Sequence, residues 1–335
     1  MRTIITPPNA RRRDVLKLGG ALATGLALPP AALAAGAGTR NTDVVRLTYG
    51  RGGLPLVSRE LGVLEKTLKD KHGIKVEWLG PFPNHAPTLQ AVVGGSADFG
   101  FWGSTTPALA AILAGSPLVF TAFNVYAPRS TAIIVKKDSG INSVKDLVGK
   151  RVAVNKAGLG EFLVVAALEK HKVPREKVQF VYLNPPDAGP AFAQGKVDAW
   201  SMWSPGVDIS LVQNDAKVIF FEGTDLDFLI DYSSLVTSRD FATRNSAVVR
   251  AVLDAFYVDG RWISEHVDES EKLAQREGGY DDKVRERLAA YQRKNHFYEP
   301  DDAKFMGEFQ RAADWLADRK IIKSRIKVAD VSVKV

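Results

Sequence analysis

The chain contains no cysteine. That excludes disulfides, thiolate metal sites, a cysteine nucleophile and a lipid-modified N-terminal cysteine in one step. Histidine is scarce, and the five present (His72, His85, His171, His266 and His296) have no spacing that faces two of them one way on a helix. A histidine metal site is therefore not expected, and no cofactor is. There is no Gly-x-Ser-x-Gly elbow and no phosphate loop ending Gly-Lys-Ser/Thr. Charge of one sign is also modest: of the formal +7, Arg2, Arg11, Arg12, Arg13 and Lys17 against Asp14 account for +4. The remaining +3 is too mild to indicate nucleic acid.

What is present is an ordinary globular composition, 45% hydrophobic and 25% charged, over 335 residues. At roughly 100–200 residues per domain, that length suggests two domains. Residues 1–34 read as an export signal. Arg11-Arg12-Arg13-Asp14-Val15-Leu16-Lys17 precedes a run of Gly, Ala and Leu that ends in Ala32-Leu33-Ala34. A basic region, an apolar region and a small-x-small site make a secretory signal, here of twin-arginine type. The run is broken by Pro29 and Pro30 and falls short of about 20 strongly apolar residues, so it does not read as a membrane anchor. No later stretch is long and apolar enough to span a membrane. The mature chain is expected to be exported to the periplasm and to be a monomer.

From residue 44 the chain alternates β-rich runs (44–49, 75–79, 97–101, 118–123) with helical spacing, and a second block over 130–221 repeats that alternation. This is the pattern of mostly parallel sheets covered by helices. Residues 124–130 read as a linker. From Ser246 the pattern turns helical, with helices expected at 246–266, 283–294 and 303–320 to cover the first lobe. A final strand is expected at 328–333.

Three strand-to-helix turns carry the chemistry: Gly50-Arg51-Gly52-Gly53, Gly103-Ser104-Thr105-Thr106-Pro107, and the turn from Lys156 to Gly160. In the second, Thr106 is a natural N-cap with Pro107 at the first helical position. Such a turn is either an ordinary capped helix start or an anion site, since first-turn N–H groups and the helix dipole favour negative charge. In open α/β sheets ligands bind beyond the carboxyl ends of strands, which favours the anion reading when several such turns face one cleft. Trp200, in Asp198-Ala199-Trp200-Ser201-Met202-Trp203, is either core or a cleft wall. His85, in a Pro-flanked loop, reads as a surface side chain or a ligand contact.

The chain resembles the periplasmic solute-binding proteins of ABC importers for aliphatic sulfonates, taurine and nitrate, and most of all the sulfonate branch. The residues that carry the resemblance are Tyr49-Gly50-Arg51-Gly52-Gly53, Asp98-Phe99-Gly100 leading to Gly103–Pro107, Tyr126-Ala127-Pro128-Arg129-Ser130, the segment from Val144 to Ala153, Asn155-Lys156, Asn184-Pro185-Pro186-Asp187-Ala188, and Val197-Asp198-Ala199-Trp200. The resemblance implies an α/β, two-lobed periplasmic binding protein fold (type II), with mixed sheets flanked by helices and two hinge crossovers. Lobe 1 would be 43–125 with 232–335, and lobe 2 would be 126–231. It implies capture of a small organic anion, most of all an aliphatic or aromatic sulfonate, and delivery to an ABC permease in the inner membrane. Ligand contacts carried over are Arg51, Gly52, Ser104, Thr105, Thr106, Gly158, Leu159, Gly160 and Trp200; Trp102 and Trp200 would take the organic tail. The chain departs from the sulfonate pattern at Trp203-Ser204-Pro205, where Trp-Asp-Pro is usual, at Ser104, where glutamate is common, and at Arg51, where glutamine is common. Gain of Arg51 and loss of acids favour an anion. Nitrate, taurine and a thiamin-pyrimidine precursor remain alternatives. An enzyme on this scaffold is disfavoured, because the relatives that desulfinate aromatic sulfinates use a cysteine. A regulator's effector domain would need a DNA-binding segment in place of the signal.

N-terminal sequencing of the exported protein is expected to begin after Ala34 or Ala37. Export of a chain that still starts at Met1 would overturn the signal reading.

Overall fold

The computed structural model describes residues 43–335, so the signal reading lies outside the described residues. Among the described residues no helix is long and apolar enough to cross a membrane.

Eleven strands appear among the described residues: β1 (Val44–Gly50), β2 (Lys75–Phe82), β3 (Gly103–Ser104), β4 (Leu118–Ala127), β5 (Ala132–Lys136), β6 (Arg151–Val154), β7 (Gln179–Tyr182), β8 (Ala199–Met202), β9 (Ala216–Phe221), β10 (Ser233–Ser238) and β11 (Lys294–Tyr298). One sheet has the order β11-β4-β10-β3, and a parallel β1-β2 pair lies beside it. Phe99 joins the two through single bridges to Leu47 and Thr237. The other sheet runs β7-β6-β8-β5-β9, with β6 parallel to β7 and β8, and β5 antiparallel to both its neighbours. The chain passes from the first sheet to the second between β4 and β5, and returns between β9 and β10. The fold class expected from sequence, α/β with mixed sheets flanked by helices and two crossovers, is the one observed.

Each sheet has its own core. Phe120, Phe123, Phe305, Phe309 and Tyr232 form an aromatic column under the first, with ring centroids such as Phe123–Phe305 at 4.9 Å and Phe120–Phe309 at 5.4 Å. Ile133, Val135, Val152, Val154 and Leu163 fill the second. The helix Ser246–Glu265 packs on Leu54–Leu61 and Val63–His72. Asp282–Ala290 instead reaches the second-sheet segment, where Val284 and Leu288 meet Ile209 and Val212.

A local device is repeated in the two sheets. Arg46 donates from its main chain (2.8 Å) and side chain (3.2 and 2.9 Å) to the Asp98 carboxylate, and also to the Gly95 carbonyl. Arg151 does the same to Asp198 (2.8, 3.1 and 2.9 Å) and to the Gly195 carbonyl. Sequence alone showed repeated architecture without repeated residues. Folded, Gly95-Ser96-Ala97-Asp98 and Gly195-Lys196-Val197-Asp198 are the same brace, each receiving an arginine from the strand before last, β1 or β6. Bidentate arginine–carboxylate pairing fixes geometry as well as charge, which sets each sheet's strand against the turn that follows its neighbouring helix.

Several expected elements shift. Residues 97–101 make only the single bridges of Phe99, and hydroxyl groups take the carbonyls there: Thr48 Oγ1 donates to Phe99 O (3.0 Å) and Thr237 Oγ1 to Asp98 O (2.7 Å). Strand β4 runs on to Ala127, so the expected linker at 124–130 is largely strand. The expected helix at 283–294 stops at Ala290, and the polar run Lys294–Tyr298 becomes an edge strand on β4. Residues 328–331 form a 3₁₀ turn, and only Ser332 bridges to Phe120.

Asp259, on the helix Ser246–Glu265, is 1% exposed. Burial pushes its carboxyl up to about 7, the Glu65 charge adds to this, and the Ser58 hydroxyl only partly offsets it. A folded-state value raised above the unfolded one means stability that is complete below about pH 4 and lost as pH rises through 7, at roughly 1.4 kcal/mol per pH unit. Asp259→Asn is therefore expected to gain on the wild type in urea unfolding between pH 5 and pH 8. A difference that is the same at both pH values would overturn this assignment.

Candidate functional site

A cavity of about 840 Å³ opens where the carboxyl ends of strands from both sheets meet. This is within the usual range for small-molecule sites. Its walls include the turn after β1 (Arg51, Gly52), the start of the helix His85–Val93, Trp102 and Ser104. The second-sheet segment contributes Asn155, Lys156, Leu159, Trp200 and Trp203. Four cations line it (Arg51, Arg129, Lys156 and Arg293) against two carboxylates, Asp231 and Glu271. Phe82, Phe101, Trp102, Tyr126, Trp200 and Trp203 supply aromatic wall.

The turn Gly103–Pro107 does bind an anion, and that anion belongs to the protein. Asp231, 2% exposed, stands just before β10. Its Oδ1 accepts from Ser104 Oγ (2.9 Å), Thr105 Oγ1 (2.7 Å), Thr106 Oγ1 (3.2 Å) and the Thr106 N–H (3.2 Å). This also explains the helix start. Thr106 was expected to cap the helix, but the helix begins at Thr105 with Ser104 as the N-cap residue, whose side chain makes no capping bond to the helix. The Asp231 carboxylate, brought from 125 residues away, does the capping, so the helix extends two residues toward the cavity.

Asp231 is set by the crossings between sheets. Arg129, on the first crossing, donates Nη1 to the Asp231 main-chain carbonyl (3.0 Å) and pairs through Nη2 with Glu222 (3.1 Å), just after β9. Burial lowers the Arg129 pKa, but Glu222 and Asp231 outweigh that and hold it above its ordinary value. One guanidinium thus ties both crossings to the turn.

His85 is neither on the surface nor free. It is 3% exposed, and its Nδ1–H donates to the Ser104 carbonyl at 2.8 Å. Burial pushes its pKa down to about 4, so the ring is neutral. The ring lies where a side chain on Gly103 would stand: a Cβ there would meet His85 Cγ at 2.4 Å. Gly103 is required by this close approach.

Residues 69–267 match the NMT1/THI5 like family. The chain belongs to that family. It is 32% identical over 245 residues to an aliphatic sulfonates-binding protein of Escherichia coli (strain K12), covering 73% of each chain. It is 30% identical over 277 residues to its namesake in Bacillus subtilis (strain 168), covering 82% of this chain and 81% of that one. Among solved structures it superposes on the alkanesulfonate-binding protein SsuA from Xanthomonas axonopodis pv. citri bound to MOPS. There the TM-score is 0.79 at 25% identity, covering 88% of this chain and 99% of that one.

Of the family-implied contacts, Arg51, Gly52, Ser104, Leu159 and Trp200, together with Trp102, line the cavity. Thr105 and Thr106 stand behind Ser104, fully buried, and are spent on Asp231. Gly158 and Gly160 also stand back from the cavity. Asn155 folds across them: a Cβ on Gly158 would meet Asn155 Nδ2 at 1.6 Å, and Gly160 N–H donates to Asn155 Oδ1 at 3.2 Å. These glycines shape the turn, while Asn155 and Lys156 face the space. Trp102 is wedged edge-on to Phe256 (5.8 Å) and Phe297 (5.4 Å), a rigid wall.

Sequence reasoning missed Arg129, Asp231, Glu271 and Arg293. Arg129 was within a quoted motif, Tyr126–Ser130, so a signal existed. Arg293 lay inside an expected helix and carried none. In the structure it is 7% exposed, held over Tyr126 (4.6 Å) and Tyr291 (5.2 Å), and donates to Ser130 Oγ at 2.8 Å.

Asp231→Ala would leave three hydroxyls of the turn and a buried N–H without their acceptor. At about 1–3 kcal/mol per stranded group, it is expected to cost at least about 3 kcal/mol in urea unfolding. A loss under about 1 kcal/mol would show that the turn closes without the carboxylate.

Proposed function

We propose that this protein is the solute-binding component of an ABC importer, and that it captures a small organic sulfonate in the 840 Å³ cavity between its two sheets. The observation that carries the reading is the cavity wall itself: cations in excess of carboxylates, beside aromatic surface sized for an organic body. Family membership and relatives named for sulfonate binding support the same class.

The reading assigns the sulfonate head to the turns that still have donors to offer. The helix Leu54–Leu61 begins at the cavity with no side chain capping it. Arg51 and Lys156 stand at the turns after β1 and β6. Backbone N–H groups at helix starts, with cations alongside, suit an anion. Trp102, Trp200 and Trp203 take the organic part. Three or four hydrogen bonds to a charged group, at roughly 1.5–3 kcal/mol each and less the costs of ordering, reach about −8 kcal/mol, a micromolar Kd.

The lobes of this reading are 43–125 with 232–335, and 126–231, hinged at the Arg129 and Asp231 crossings. Asn84 and Asn184, from the two segments, hydrogen-bond at 3.1 Å beside the cavity and suit a contact made on closure. The chain is exported by its twin-arginine signal, works as a monomer, performs no catalysis and hands its ligand to a membrane permease.

A thermal-shift panel of alkyl and aryl sulfonates, nitrate, sulfate and a neutral aminopyrimidine tests this. A sulfonate at about 100 times its Kd is expected to add roughly 2.7 kcal/mol of stability. A shift with the pyrimidine and none with any sulfonate would overturn the reading.

A further inference from the structure

The four donors on Asp231 all converge on one oxygen, Oδ1. Among the described residues Oδ2 receives none, and Asp231 walls the cavity. Its charge also lacks a direct ion pair and feels the Arg129 guanidinium only at a distance. Arg129 spends its ion pair on Glu222 and reaches only the main-chain carbonyl of Asp231. Among the described residues no ion pair includes the Asp231 carboxylate. Two buried carboxylates, Asp231 at 2% and Glu222 at 3% exposure, therefore share one guanidinium. His85 cannot supply the missing charge: its Nδ1–H is committed to the Ser104 carbonyl, and its ring is buried and neutral. A buried net charge is costly unless something compensates it. The cavity side of Asp231 is where a compensating group would arrive.

We infer that Asp231 Oδ2 is a cation subsite, and that the preferred ligand is a zwitterion with a protonated amine besides its anionic group. The ammonium sits at the Gly103–Pro107 turn, the place that family resemblance gives to the anion. The anionic group lies toward Arg51 and Lys156. The inference rests on the sulfonate reading above and specifies the ligand's other end. It also accounts for Ser104 standing where glutamate is common. The negative charge is retained at the turn but is supplied from the second crossing, by a residue that lines the cavity.

Calorimetric titration of the whole mature protein separates the two readings, using 3-aminopropanesulfonate, 1-propanesulfonate and the N-acetylated amine. All three carry the sulfonate, and only the first carries a cation. The amine is expected to bind at least about tenfold more tightly than either of the others, the scale of one charge-assisted hydrogen bond. In Asp231→Asn, whose amide oxygen can still accept from the turn, that preference is expected to fall to within about twofold. Equal binding of all three ligands, or a preference that survives in Asp231→Asn, would overturn the cation subsite and leave the sulfonate reading standing. No binding of any sulfonate would overturn both. If Asp231→Asn does not fold, the wild-type comparison alone decides, because the acetylated amine removes the charge from the ligand's side.

Discussion

One carboxylate oxygen, Asp231 Oδ1, gathers three hydroxyls and an N–H from a single turn. Much of the cavity's form follows from that contact. It starts the helix Thr105–Leu113, places Ser104 at the wall, and withdraws Thr105 and Thr106 from it. Through Arg129 and Glu222 it also links the two chain crossings, which are the covalent paths between the sheets. A charge held between uncharged donors and a shared guanidinium is stable only while all of them stay in place, so the turn, both crossings and the cavity mouth are one mechanical unit.

The sheets themselves are held by a different and repeated device. Arg46 on Asp98 and Arg151 on Asp198 make near-identical forks, each closing on a glycine carbonyl three residues before the aspartate. Each fork lies at a strand's amino end, away from the cavity. The carboxyl ends are thus left for turns that point N–H groups, cations and aromatic rings inward. The division suits a binding protein: stability is concentrated at one end of each sheet and recognition at the other.

The anion-binding geometry of Gly103–Pro107 was legible in the sequence as one of two readings, since small hydroxylated residues before a helix serve either to cap it or to hold an anion. What occupies that geometry was not. Asp231 lies 125 residues further on, in a stretch without periodicity, and no local rule connects the two. Arg293 was hidden for a similar reason. It lies inside the expected helix, which in the structure stops at Ala290, just before a polar run that pairs with the edge of β4. The surface reading of His85 failed because burial of a histidine depends on Gly103, which leaves the ring its space at the cavity wall.

Residue order alone determined the α/β alternation and the turns that face the cavity, since each depends on periodicity, capping residues or a local motif, and the motifs together carried the family resemblance that implied the two crossovers. Tertiary structure decided how the charge is distributed there. Hydrogen-bond donors are finite, and which of them remain for a ligand depends on partners that only the folded chain brings together. At the central turn the protein's own carboxylate takes the donors. The turn therefore brings a carboxylate to the cavity wall, where its sequence advertised N–H and hydroxyl groups.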